Sequence, residues 1–199
     1  MVKKAFMAIG TALLIVSLSS MYINAQEAQQ DQQAMMEAYM KMMAPNENHA
    51  YFKNFIGQWE VTSTAWMMPG AEPVVSNSVS KAELILGGRF LKMEYKGTMF
   101  GQPFEGIQIN GYDNFQKKYI SFWIDNSSTA FYLLSGTFDE TGKIMTERAE
   151  WTDPMTGGTM KVRTTTKWIS QDEFVYEMFM ISPDGQEFKS LENRVKRNK

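Results

Sequence analysis

The stretch Arg89–Thr98, RFLKMEYKGT, alternates: Phe90, Lys92, Glu94 and Lys96 form a mostly charged set, and Arg89, Leu91, Met93 and Tyr95 a more apolar one. A period of two marks a half-buried strand, so the second set faces an interior and carries Arg89 with it. The same test on Thr159–Ile169, TMKVRTTTKWI, sends Met160, Val162, Thr164, Thr166 and Trp168 inward and Lys161, Arg163, Thr165 and Lys167 outward. In Glu173–Ile181 the set Phe174, Tyr176, Met178, Met180 competes with Val175, Glu177, Phe179, Ile181, and both faces are mixed in Lys143–Trp151 and Gln186–Lys196.

Outward from these segments, short runs rich in aromatic and β-branched residues continue in both directions. They predict further strands at Gln58–Trp66, Val74–Leu84, Pro103–Gly111, Lys118–Asp125 and Thr129–Phe138. Turn residues separate them: Met68-Pro69-Gly70, Gly87-Gly88, Asp125-Asn126-Ser127, Asp139-Glu140-Thr141-Gly142, Asp153-Pro154 and Pro183-Asp184-Gly185. A parallel crossover needs a dozen or more residues, so connections this short imply antiparallel neighbours and a meander. Closing the meander removes its exposed edges. The fold class expected is all-β: a closed antiparallel up-and-down β-barrel of about ten strands, preceded by one amphipathic α-helix, with a two-sheet sandwich as the alternative. About ten strands leave a central cavity unless something fills it.

Ahead of the strands, Asp31–Ala44, DQQAMMEAYMKMMA, has no Gly or β-branched residue and is stopped by Pro45. Met35, Met36, Tyr39, Met40, Met42 and Met43 share one face of this helix, within an arc of about 160°. Such a stripe reads as a packing face; thioether ligands for Cu(I) are the sharper alternative. Earlier still, Lys3 and Lys4, the apolar run Ala5–Leu18 and Asn24-Ala25-Gln26 have the form of a secretory signal, too short to span a bilayer. The expected organisation is a signal over 1–25, the helix and a linker over 26–49, and the barrel over 50–199, in a periplasmic or secreted protein with no stable membrane span after cleavage.

The 199 residues include no Cys and one His, His49, which excludes disulfides, thiolate metal sites, cysteine nucleophiles and a lipidated N-terminal cysteine. No calcium-loop spacing and no phosphate-cradling glycine loop occurs. Neither a metal nor a cofactor is expected, and no catalytic residue is assigned. Without the signal the chain has 20 − 2 = 18 basic and 22 acidic residues, a balance that gives no reason to bind nucleic acid.

An ordered series of motifs carries a resemblance. Glu47-Asn48-His49, Phe55-Ile56-Gly57-Gln58-Trp59, Leu86–Leu91, Pro103–Gly106, Gly111-Tyr112-Asp113, Trp123-Ile124-Asp125 and Asp153–Gly157 together resemble the family known as domain of unknown function 1579. The likeness spans roughly Pro45 to Arg197. Gly57-x-Trp59 is also similar to the opening of calycins, the group of lipocalins, fatty-acid-binding proteins and nitrobindin-type haem barrels. The resemblance implies a closed antiparallel barrel and brings no activity. Nitrobindin-type barrels hold haem through a late histidine, and no histidine follows His49.

The function expected is non-catalytic binding of a small apolar or amphiphilic ligand inside the barrel, by fold-level analogy. The ligand-binding candidates are Arg89, Tyr95, Tyr112, Trp123, Trp168, Tyr176 and Arg194. Either arginine could meet an acidic head group, or Arg89 could pair with Glu192 or Glu150 as a structural ion pair. The aromatic residues are ligand walls or core, Trp59 is core at the barrel base, and His49 is a hydrogen-bonded structural residue. An interaction protein of the cell envelope with a filled barrel, and an enzyme using the barrel mouth, are the alternative readings.

Overall fold

A computed structural model describes residues 26–198 apart from 28, 154 and 155. The signal-like segment, and Pro154 and Met155 of one turn, lie outside the described residues. The chain divides into two compact units between Ala44 and Pro45. In the first, α1 (residues 29–43) is helical as its composition predicts, and Met35, Met36, Tyr39 and Met40 are exposed. No helix among the described residues is long and apolar enough to cross a membrane.

The second unit starts with a short helix α2 (Glu47–Ala50) and a 3-10 turn, Tyr51–Phe55, and continues as ten strands. These are β1 (Gly57–Ala65), β2 (Val74–Ile85), β3 (Phe90–Met99), β4 (Gln102–Asp113), β5 (Lys118–Asp125), β6 (Tyr132–Phe138), β7 (Ile144–Thr152), β8 (Thr159–Ser170), β9 (Glu173–Ile181) and β10 (Glu187–Arg197). Each pairs antiparallel with its sequence neighbour, and β1 pairs with β10 from Trp59↔Arg197 to Ala65↔Leu191, closing the barrel. The strand order is that of the predicted meander. The largest boundary difference is β6, which begins at Tyr132 where the apolar run predicts Thr129.

The register settles which face looks inward. Trp59 lies opposite Ser80, Ser80 opposite Tyr95, and Tyr95 opposite Gly106, so the inward set passes from strand to strand. On β9 the undecided alternation resolves in favour of Phe174, Tyr176, Met178 and Met180, which continue the inward set of β8 through Trp168↔Phe174 and Thr166↔Tyr176. On β7 the inward residues are Met145, Glu147, Ala149 and Trp151, with Arg148 and Glu150 outside.

One end of the barrel is plugged. The 3-10 turn drops Phe52 and Phe55 into the base, where they join Trp59, Val61, Leu91, Met93, Tyr119 and Phe174 in one buried cluster. Trp59 is wholly buried, and its indole N–H donates to the Phe55 carbonyl at 2.7 Å, satisfying the only polar atom of that side chain. Asn46 caps α2 by accepting from the Asn48 N–H, and the His49 Nδ1 accepts from the Asn46 N–H at 3.1 Å. His49 is buried edge-on to Tyr112, and burial, with help from the nearby Arg89 charge, holds its pKa below the usual value. Its burial and its hydrogen bond are those expected of a structural residue.

Arg197 locks the plug to the barrel. Its guanidinium donates to the Ile56 and Asn54 carbonyls at 2.6 and 2.9 Å and to the Asp172 carboxylate at 2.9 Å. It also lies 4.1 Å over the Trp59 ring. Gly57, at φ +130°, passes beneath it, and a Cβ there would sit 3.0 Å from Nη1. The Gly57-x-Trp59 element is thus a seat for this arginine. Arg197→Lys puts one ammonium where a planar fork reaches several acceptors, and is expected to cost about 2 kcal/mol in urea unfolding.

Candidate functional site

Above the plug the inward residues change character. Ser80 on β2, Tyr95 on β3, Gln108 and Asn110 on β4, Ser121 on β5, Glu147 on β7, Thr164 on β8, Tyr176 on β9 and Asn193 on β10 all face the barrel axis, forming a polar girdle around most of the circumference. β6 alone of this half presents Leu134 and Gly136.

A chain of hydrogen bonds links much of the girdle. The Tyr95 hydroxyl donates to Gln108 Oε1 at 3.3 Å, Gln108 Nε2 donates to Asn110 Oδ1 at 3.1 Å, and Ser121 Oγ lies 2.7 Å from Asn110 Oδ1 and 2.6 Å from Glu147 Oε1. Ser121 has one hydroxyl proton and two oxygen neighbours. With the amides in this orientation, both contacts are hydrogen bonds only when Glu147 is a neutral acid donating to Ser121, which in turn donates to Asn110. An ionised Glu147 requires Ser121 to donate to the carboxylate, with both amides turned so that Asn110 Nδ2 donates to Ser121 and to Gln108, and Gln108 donates to the Tyr95 hydroxyl. The barrel favours the first state: Glu147 is 5% exposed, and burial pushes its pKa up to about 7 against the opposing Ser121 hydrogen bond. Burial likewise raises the Tyr95 and Tyr176 hydroxyls, with the Glu147 charge adding to the rise at Tyr176, so both phenols stay neutral.

Beyond the girdle the walls are aromatic. Trp123 lies edge-on to Tyr95 at 5.2 Å and stacks on Phe104. It lies flat against the backbone of Gly106, where a Cβ would be 2.4 Å from the indole, so only glycine lets the ring take this place. Its N–H donates to Asp125 at 2.7 Å. Across the barrel Tyr132 packs edge-on to Trp151, whose N–H meets the Met160 sulfur. Past Tyr95, β1, β2 and β3 offer mostly small residues, Ser63, Ser76, Ser78 and Gly97, with Val74 and Met99 towards the rim. Many of these inward side chains are only half-buried, among them Ser63, Ser78, Gln108, Tyr176, Met178 and Asn193. These side chains point to the axis and keep some accessible surface, whereas Ser80, Ser121, Glu147 and Thr164 of the girdle are buried.

The candidates therefore separate into three groups. Tyr95, Trp123 and Tyr176 come together in the lumen. Tyr112 and Trp168 face inward but belong to the plug: Tyr112 packs on His49 and Tyr119, and Trp168 on Phe55, Trp59 and Phe174, with its N–H donating to the Tyr51 hydroxyl. The two arginines are corrections. Arg89 is exposed just ahead of β3, its Nη1 donating to the Leu86 carbonyl at 3.4 Å, because the strand begins one residue later than its alternation suggests. Arg194 points outward next to buried Val195 and pairs with Glu173 at 2.7 Å. The proposed acids of Arg89 pair elsewhere, Glu192 with Lys189 and Glu150 with Lys161.

Glu147, Ser121, Asn110, Gln108 and Asn193 are the residues sequence reasoning passed over. The signal for Glu147 was present: on β7 it is the one charge in the otherwise apolar set Met145, Ala149, Trp151. Among the described residues no cluster of three or more His, Asp or Glu side chains could hold a metal. Two shallow grooves lie away from the girdle, one on the outer face with Glu60, Thr62, Asn77 and Lys96, the other at the rim beside Trp66 and Phe188. The outer face of β4–β6 carries an apolar patch in which Ile107, Phe131 and Leu133 are exposed and Phe122 stacks on Phe131.

A family model described as "Protein of unknown function (DUF1579)" matches residues 44–197, the whole barrel unit with its plug. The chain belongs to that family. Among solved structures, this DUF1579 barrel is similar to the crystal structure of Rv2717c from M. tuberculosis, at 14% identity and a TM-score of 0.53, covering 75% of this chain and 96% of that one. That likeness concerns the fold alone. A redesigned β-barrel matches at 17% identity and a TM-score of 0.39, covering 74% of the DUF1579 chain and 95% of its own. No curated protein matches the DUF1579 chain.

Proposed function

We propose that this protein is an exported, non-catalytic carrier that holds a small, largely apolar ligand in the upper half of the barrel, its polar group at the girdle. The single observation that carries the reading is the contrast between the two halves. The plugged half is a dry aromatic core, whereas the other half lines its axis with half-buried aromatic and polar side chains. Small residues on β1–β3 facing large aromatics on β4–β7 make room on one side and contact area on the other. Export is supported by the basic start, apolar run and small residues of the first 26 positions.

Nile red, a neutral dye that brightens in apolar surroundings, tests this directly. The wild-type barrel is expected to brighten it, and Ser63→Phe, which puts a ring into the lumen, to reduce the signal severalfold by occupying the same space. Dye on the outer patch around Phe131 would ignore that change, so an unaltered signal contradicts the lumen reading. The patch itself favours the interaction reading, with a second copy of the chain as partner, and size-exclusion chromatography with light scattering reads it as a dimer that Leu133→Glu dissolves.

A further inference from the structure

We propose that the lumen selects ligands whose polar group is an amine or ammonium and rejects carboxylic acids, the reverse of the head group that an inward arginine would choose. This rests on the lumen-binding reading above and goes beyond it by fixing the ligand's charge. Among the described strand residues, every Lys and Arg points outward except Arg197, and that one is committed to the plug. The ionisable acids on inward positions are Glu147 in the girdle and Asp125 near the mouth.

Two independent features point the same way. Asn193 Oδ1 is a buried acceptor with no hydrogen-bond partner, on β10 and facing the same axis as Glu147. A buried acceptor of this kind lacks a donor, which is what an N–H group brings and a carboxylate does not. Glu147 engages Ser121 through Oε1, which leaves Oε2 to meet a ligand. The second feature is the aromatic wall of Tyr95, Trp123 and Phe104, leading from the mouth to the girdle. The faces of such rings attract a cation and not an anion. An alkylamine entering along this wall ends with its nitrogen at Glu147, which then ionises and turns the hydrogen-bond chain so that the Ser121 proton points to it.

The groups that face Glu147 are Ser121 on β5, Gly136 on β6, Thr164 on β8, Tyr176 on β9 and Tyr51 from the plug, and burial shifts the two phenols upward, so both stay neutral as Glu147 titrates. Glu147 is therefore the group whose titration an amine reads. The test is displacement of Nile red from the full chain by decylamine, decanol and decanoate, all below their micellar concentrations, at about pH 7.5. Decylamine is expected to bind at least about tenfold more tightly than decanoate. That preference should collapse in Glu147→Gln, while decanol is little changed. In the wild type alone, the affinity for decylamine should rise by about tenfold between about pH 5.5 and about pH 8, and that for decanol should stay flat. Decanoate binding as well as decylamine, with Nile red still displaced, overturns the proposal and leaves the lumen reading standing. Nile red that ignores both Ser63→Phe and all three competitors overturns the two together.

Discussion

Glu147→Gln is expected to abolish a fall in stability that the wild-type barrel shows between about pH 4 and about pH 8. The sign follows from the direction of the shift. Folding raises the Glu147 pKa from 4.5 to about 7, so the folded protein binds this proton more tightly than the unfolded chain does. Below the unfolded value both states are protonated and the group contributes its full stability. As pH rises to the folded value the unfolded chain gives up the proton first, and stability is lost until the folded carboxyl ionises as well. A shift of this size corresponds to about 3 kcal/mol between the two plateaus. Gln keeps the shape and the contact to Ser121 and has no charge to bury. Urea unfolding of both proteins at about pH 4 and about pH 8 checks this: the wild type should lose about 3 kcal/mol more than the variant across the range, and parallel profiles would contradict a buried, proton-holding Glu147.

Trp59→Ala is expected to have the largest effect of any single change, about 4 kcal/mol. Trp59 is wholly buried at the point where plug and barrel meet. It packs edge-on to Phe174 and Trp168, donates to the Phe55 carbonyl and lies under the Arg197 guanidinium. Alanine removes the ring from both the cluster and the cation, and leaves the Phe55 carbonyl without that donor. For a domain of this size the loss corresponds to a melting temperature lower by about 12 °C. Trp59→Phe, which keeps ring area and loses the N–H, should fall between the two. A Trp59→Ala protein that melts within about 3 °C of the wild type would show that the plug is not anchored through this residue.

Much of the fold was legible because a barrel meander is written in local signals. Alternation set the strands, Gly, Pro and Asp clusters set the turns, and the shortness of the connections left an antiparallel arrangement. The site was less legible, for a reason visible at Arg89 and Glu147. A strand boundary one residue off places a terminal side chain on the wrong face, and Arg89 precedes the first paired residue of β3. Arg194 was misplaced because both faces of β10 mix charge and apolar residues, and a bulge between Lys189 and Leu191 shifts its register. Glu147 was hidden by the opposite prejudice. A carboxylate flanked by Arg148 and Glu150 reads as part of a solvated face until the pairing of Glu147 with Thr164 shows that it looks inward. Which aromatics are plug and which are wall depends on the 3-10 turn, and no period in the sequence reveals that Tyr51, Phe52 and Phe55 fill one end.

The proposed occupant of the upper lumen is a small molecule. Native mass spectrometry of the protein purified from its own host tests it most directly. The expected result is a population heavier than the mature chain by the mass of one small molecule, which leaves when the protein is unfolded in acid and which Ser63→Phe fails to retain. A protein that appears only at its bare mass, with Ser63→Phe indistinguishable from it, would contradict the account.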